Sequence, residues 1–280
     1  MTAREVDQRA ERAATVHGAR VVARLGVGTD NVAYALDDGS VLRLRQTLDD
    51  EARDAVAREA ALLELLADQP GVPAPRVRFV DAAEGALALE RLPGTSLLDR
   101  PAVDPLPLVP ALGDLLAALH ALTSVAAPVV VREEADLGEH LEEAQELLEV
   151  VGSLVPVELR ERLQAQLATD TPAPGTDLRL CHADLGAEHL LAEPGPWRLT
   201  GVLDWTDAAI TDPALDLARL WRDLGRPVAE AVAARLGLDD AALERAVVLA
   251  RCMAVEDLAF GHETGDPRYV TAALAALTRL

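Results

Sequence analysis

The residues of this chain best suited to chemistry lie in two stretches, Cys181-His182-Ala183-Asp184-Leu185-Gly186-Ala187-Glu188-His189-Leu190-Leu191 and Val202-Leu203-Asp204-Trp205. Asp184 follows a His by two residues, a metal-capable side chain stands five residues after it, and a second Asp closes an apolar run further on. This is the spacing that phosphoryl transfer from a nucleotide needs: a carboxylate to accept or orient the acceptor hydroxyl proton, and two ligands for the magnesium ions that neutralise the phosphates. On this reading Asp184 is the catalytic base, His189 and Asp204 hold magnesium, and His182 braces the loop without reacting. The competing chemistry is a zinc or other transition-metal site made of His182, Asp184 and His189. It gives no role to the upstream features described next.

A phosphoryl-transfer site needs elements that hold the nucleotide. Residues 4–17 have the spacing of a short surface helix, and the period then changes to that of strands over 21–25, 32–36 and 41–45. The result is an antiparallel meander whose first connection, Gly26-Val27-Gly28-Thr29, can fold over phosphates through its backbone N–H groups. In a kinase-like lobe the third strand carries the cation for the phosphates and the next helix carries a Glu that fixes it. Arg43 and Glu59, the latter on a helix over 49–68, occupy those places. A proline-rich break leads to strands over 76–81 and 86–90, then to Glu90-Arg91-Leu92-Pro93-Gly94, which has the character of a hinge that presents backbone groups to a purine.

Beyond residue 94 the pattern is mainly helical: an apolar helix over 109–122 that ends near His120, and an amphipathic helix over 133–149 with one acidic side. A strand then leads into the catalytic stretch, another ends at Asp204, and helices run over 213–224, 227–236, 240–260 and 266–280. The expected fold is α+β and bilobal: residues 1–94 form a small antiparallel-sheet lobe that binds nucleotide, with the hinge near 90–94, and residues 95–280 form a helical catalytic and substrate-binding lobe.

Composition narrows the partners. The net charge is -21, which repels nucleic acid and draws in cationic small molecules. There is no lysine, so all 26 basic residues are Arg, and neither a Walker-type phosphate loop nor Schiff-base chemistry is available. Two cysteines are too few for a disulfide framework, no apolar run approaches the roughly 20 residues of a membrane span, and the polar start is unlike a signal peptide. The expectation is a cytoplasmic protein, monomeric or a weak dimer, without nucleic-acid or membrane partners.

CHADLGAEHLL followed by LTGVLDWTDAAITDPALDLARL resembles the catalytic and metal-binding region of the aminoglycoside phosphotransferase family, whose fold is similar to that of protein kinases. The likeness extends through LGVGTDNVAYAL, VLRLR, REAALLELLADQPGVPAPRV and LERLPG. It implies Asp184 as base, Asp204 and residue 189 as metal ligands, residues 90–92 (Glu90, Arg91, Leu92) as the nucleotide-contacting hinge, and Asp212 and Asp216 as braces. It also implies Mg2+ and ATP or GTP, and an antibiotic as acceptor.

Two positions depart from the family pattern. His189 stands where most relatives have Asn, as in macrolide 2′- and aminoglycoside 2″-phosphotransferases, and Arg43 stands where many have Lys. The expected activity is O-phosphorylation of a hydroxyl on a small cationic antibiotic, whether an aminoglycoside, a macrolide or a basic peptide, conferring resistance. A metabolic kinase for a sugar or amino alcohol and a nucleotide-binding pseudokinase are the alternatives. Acceptor contacts are expected from acids of the helical lobe: Glu139, Glu143, Glu146, Glu256 and Asp257.

Overall fold

The computed structural model describes residues 3–169, 171–193, 195 and 197–280. Helix α1 (Ala3–Val16) precedes β1 (Val21–Val27), β2 (Asn31–Leu36) and β3 (Val41–Arg45). Helix α2 (Asp50–Leu66), β4 (Val77–Asp81) and β5 (Ala86–Leu89) follow. The strands form one antiparallel sheet in the order β1-β2-β3-β5-β4. Because side chains alternate along a strand, Leu42, Leu44, Ala86 and Ala88 face α1, where they bury Val6, Ala10 and Ala13. The opposite face carries Leu87 and Leu89 against Val56 and Ala60 of α2, and Arg43 with them. The two-residue period of β3 is therefore what aims Arg43 at α2.

Helix α2 starts at Asp49, whose side chain accepts the Ala52 N–H at 2.8 Å, and the proline-rich break follows it. After β5 the chain crosses residues 90–94. There Glu90 N–H donates to Arg76 at 2.8 Å and the Thr200 hydroxyl donates to Pro93 at 2.6 Å. Gly94 has φ +109°, and a Cβ placed there would meet Thr200 Oγ1 at 2.3 Å, so this crossing requires glycine.

The remaining chain is mostly helical. It runs β6 (Thr95–Ser96), α3 (Val109–Ala121), α4 (Thr123–Ala126), β7 (Val131–Arg132), α5 (Leu137–Val151) and α6 (Val157–Leu167). Next come β8 (Arg179–Cys181), β9 (Leu190–Glu193), β10 (Arg198–Val202) and β11 (Ala209–Thr211). It finishes with α7 (Ala214–Leu224), α8 (Arg226–Leu236), α9 (Asp240–Thr264) and α10 (Pro267–Arg279). Two small sheets, β10-β9-β6 and β7-β11-β8, carry the loops between β8 and β9 and between β10 and β11. Helix α9 is the central post, packed on α5, α7 and α10. Both cysteines are buried, and among the described residues no helix is long and apolar enough to cross a membrane.

The acidic helix begins at Leu137 and not at 133, because Asp136 caps it by accepting the N–H groups of Gly138 and Glu139. Helix α6 and the short strands β6, β7, β9 and β11 stand where no element is expected from sequence.

His120 ends α3 with its Nε2 buried and without a hydrogen-bond partner. Burial first, then the charge of Arg179, push its pKa down to about 4. A base whose folded pKa lies below its unfolded value stabilises the fold above the unfolded pKa, and that contribution is lost as pH falls through the folded one. The window here runs from about 6.5 to about 4. His120→Leu is therefore expected to gain stability relative to the unaltered protein by on the order of 3 kcal/mol between pH 7 and pH 4. Denaturant unfolding at both pH values measures it; an unchanged difference refutes it.

Candidate active site

The loop from β8 to β9 is built by its own backbone and by one face of α7. Ala183 takes φ +65°, which turns the chain so that Asp184 leaves the strand direction. Asp216 accepts the backbone N–H groups of His182 at 3.1 Å and Ala183 at 2.9 Å, and Asp223 accepts that of Ala187 at 2.7 Å. His182 is fully buried: its Nε2 meets the Leu203 carbonyl at 3.0 Å, its Nδ1 accepts the Asp184 N–H at 3.3 Å, and its ring packs on Trp205 at 4.7 Å. Those contacts require the neutral ring, and burial pushes its pKa down to about 4. His182 thus ties the Asp184 loop to the strand end that delivers Asp204.

The Asp184 carboxylate has one partner on each oxygen. His189 Nε2 lies 3.0 Å from Oδ2 and Arg219 Nη2 lies 3.0 Å from Oδ1. Burial opposes ionisation of Asp184, but the His189 hydrogen bond and the Arg219 charge outweigh it and hold the carboxyl well below the usual range. For His189, burial lowers the pKa, and the hydrogen bond to Asp184 with the charges of Glu188, Asp184 and Asp204 more than reverses this, so it is raised.

Across the seam, Arg43 spans two carboxylates. Its Nη1 is 2.5 Å from Glu59 Oε1, and its Nη2 is 2.6 Å from Asp204 Oδ1 and 3.0 Å from the Thr206 hydroxyl. Glu59 is buried and also accepts the Thr206 hydroxyl at 3.0 Å and the Trp205 N–H at 3.3 Å. Asp204 has φ +58°, a conformation non-glycine residues seldom adopt, which places its carboxylate toward Arg43. Burial would raise its pKa, but Arg43 and then His189 bring it below the ordinary value.

Of the glycine connection, Gly26 lies in β1 and Gly28 follows it, its N–H donating to the Asn31 carbonyl at 2.8 Å. The Gln46 amide donates to the carbonyls of Gly28 and Thr29 at 2.7 and 2.8 Å, holding the turn to the end of β3. In the crossing after β5, Arg91 is exposed and Leu92 packs over Gly201.

A cavity of about 480 Å3 opens beside Asp184, lined also by Glu51, His140, Thr206, Asp207 and Arg219. None of the expected acceptor acids lines it. Glu139, Glu143 and Glu146 are exposed on α5, and Glu256 reaches the cavity wall only through His140, 3.5 Å away. Asp257 sits 2.9 Å from Arg222 Nη1 in a buried cluster with Asp223 and Glu188, where burial pushes its carboxyl up to about 7. The brace Asp212 pairs with Arg245 at 2.6 Å. Sequence reading omitted Arg219, Glu188, Thr206 and Asp207. The signal for Arg219 was present: Asp216, Arg219 and Asp223 are spaced i, i+3, i+7, one face of a helix.

Asp184, Glu188 and His189 offer ligand atoms that all lie within 4.8 Å of one another, and the Asp204 carboxylate lies against Arg43. Two carboxylates and one imidazole make up that cluster, a donor set containing the oxygen ligands that suit magnesium carried in with phosphates, and Asp204, paired with Arg43, is not among them.

A sequence profile of the phosphotransferase enzyme family matches residues 21–249. Viomycin phosphotransferase of Streptomyces vinaceus is 33% identical over 110 residues, 38% of this chain and 38% of that protein. Aminoglycoside 3′-phosphotransferase of Streptomyces fradiae is 31% identical over 172 residues, 59% of this chain and 63% of that protein. The matched stretch thus spans less than two thirds of either relative. Among solved structures, the GDP complex of wild-type aminoglycoside 2′-phosphotransferase-IIIa superposes with a TM-score of 0.72 at 23% identity, covering 99% of this chain and 98% of that one. Macrolide 2′-phosphotransferase from Brachybacterium faecium gives a TM-score of 0.62 at 27% identity, over 96% and 97%. The α+β architecture, with an antiparallel sheet first and a helical part after it, is the kinase-like fold expected from the sequence.

Proposed function

This chain belongs to the phosphotransferase enzyme family, and we propose that it transfers the γ-phosphoryl group of ATP or GTP to a hydroxyl of a small cationic antibiotic, an aminoglycoside, macrolide or basic peptide, and so inactivates it. The observation that carries this reading is the convergence of Asp184, His189, Arg43 and Asp204 where the sheet meets the helical part, with an open cavity beside Asp184.

Asp184 takes the acceptor proton as the hydroxyl oxygen bonds to the γ-phosphorus. The bond from that phosphorus to the β,γ-bridging oxygen breaks, and its electron pair leaves with the nucleoside diphosphate. Arg43, fixed by Glu59, supplies the fixed positive charge for the donor phosphates. Asp204 and His189 would hold magnesium, which would neutralise phosphate charge. Residues 1–94 act as the nucleotide lobe, with Gly26 and Gly28 over the phosphates and Glu90, Arg91 and Leu92 at the purine; residues 95–280 act as the acceptor lobe. The low incidence of cations relative to acids, 26 against 47, favours a cationic acceptor.

The test is nucleotide consumption with ATP and with GTP against aminoglycosides, macrolides and basic peptide antibiotics, with sugars and amino alcohols as controls. The expected result is a phosphorylated antibiotic by mass spectrometry. Turnover confined to the controls overturns the antibiotic assignment, and nucleotide binding with no turnover of any acceptor overturns the enzymatic one.

A further inference from the structure

We propose that Arg219 is the positioning residue of Asp184: it holds Oδ1 from α7 so that Oδ2 can face the acceptor hydroxyl. This rests on the phosphotransferase reading above.

One face of α7 is turned to the loop between β8 and β9. Asp216, Arg219 and Asp223 contact in turn residues 182–183, 184 and 187. Two of the three contacts hold backbone and set the path of the loop. Only Arg219 holds the reacting side chain, at 3.0 Å with both groups largely shielded (17% and 22% exposed). Asp184 is also its single ion-pair partner within 4.0 Å among the described residues, and its Nε has no hydrogen-bond partner.

The other grip on Asp184 comes from His189 Nε2, on the loop itself. That nitrogen cannot donate to Asp184 and ligate a metal at once. A metal held on Nε2 would displace the His189 contact and leave Arg219 as the remaining partner of the carboxylate among the described residues. An anchor on a helix keeps its geometry through such a change, and a displacement of about 1 Å in a reacting group can cost about 100-fold in rate.

The experiment compares Arg219→Gln and Arg219→Lys with the unaltered protein, using turnover of a phosphorylated acceptor, or nucleotide hydrolysis with water as acceptor, and calorimetric nucleotide binding. Arg219→Gln is expected to lower kcat roughly 10- to 100-fold, with both KM values and the nucleotide Kd within about twofold. Arg219→Lys is expected to restore most of kcat, since one charged contact and not a bidentate pair is at stake. In an Asp184→Asn background, Arg219→Gln is expected to cost no further kcat, because the two side chains act as a unit. Unchanged kcat in Arg219→Gln, a loss confined to the acceptor KM, or additive losses in the double variant each overturn the proposal. If Arg219→Gln fails to fold, Arg219→Lys decides, and a kcat as low as that of Asp184→Asn overturns it. Absence of turnover by the unaltered protein overturns the underlying phosphotransferase reading instead.

Discussion

Asp184→Asn is expected to lower kcat by roughly 100- to 10,000-fold while leaving nucleotide affinity and unfolding midpoint close to those of the unaltered protein. The amide has nearly the shape of the carboxylate, and the path of the loop is set by Asp216, Asp223 and His182, none of which is touched. What is lost is the acceptor for the hydroxyl proton, together with the charge that both Arg219 and His189 meet at 3.0 Å. The size of the effect discriminates between roles. A pKa held well below the usual carboxylate range by the His189 hydrogen bond and the Arg219 charge makes Asp184 a weak base, suited to a loose transition state in which orienting the hydroxyl matters more than early proton removal. A loss near the lower end of the range therefore points to orientation, and one near the upper end to proton abstraction. Steady-state kinetics paired with calorimetric nucleotide binding measure it. Full activity of Asp184→Asn excludes Asp184 from both roles.

The sequence made the nucleotide side of this site more legible than the acceptor side, and the reason is the length scale of the information. Strand β3 alternates Leu42 and Leu44 with Arg43 and Arg45, so the face that Arg43 occupies follows from the period of two. Helix α2 follows within a few residues, with Glu59 on its buried face, and the Arg43–Glu59 pair can be anticipated. The catalytic stretch is likewise local, its His, Asp and His all within eight residues. By contrast, the cavity beside Asp184 takes Glu51 from α2, His140 from α5, Asp207 from the loop after β10 and Arg219 from α7. No local period relates such positions, and the exposed acids Glu139, Glu143 and Glu146 of α5 do not line it.

The buried ion cluster shows the same boundary. Asp257 reads in the sequence as one more acid of a helix, and only packing of α9 on α7 reveals that it meets Arg222. Short strands were invisible for a related reason: β6 and β7 have two residues each and gain their order only from partners far along the chain, β9 and β11. An N-terminal signal was available for α5, since Asp136 is followed three residues later by Glu139, a spacing typical of a helix start.

The bridge made by Arg43 leads to the largest expected loss of stability. Removing the cation in Arg43→Met leaves Glu59, 4% exposed, with only the Thr206 hydroxyl and the Trp205 N–H to compensate its charge. Breaking a buried pair on one side costs about 3–5 kcal/mol, and those two remaining donors argue for the lower end. Arg43→Lys is expected to cost less, because an ammonium can meet one carboxylate but lacks the fork that spans Glu59 at 2.5 Å and Asp204 at 2.6 Å together. Adding Glu59→Gln to Arg43→Met removes the orphaned charge, so the double variant should recover part of the stability. It should recover none of the nucleotide affinity if Arg43 binds the phosphates as proposed, since that cation is still missing. Denaturant unfolding and calorimetric nucleotide binding, run on all three variants, separate the two roles. Recovery of both in the double variant would show that Arg43 serves only to neutralise Glu59, and recovery of neither would show that the loss in Arg43→Met does not come from the orphaned Glu59 charge.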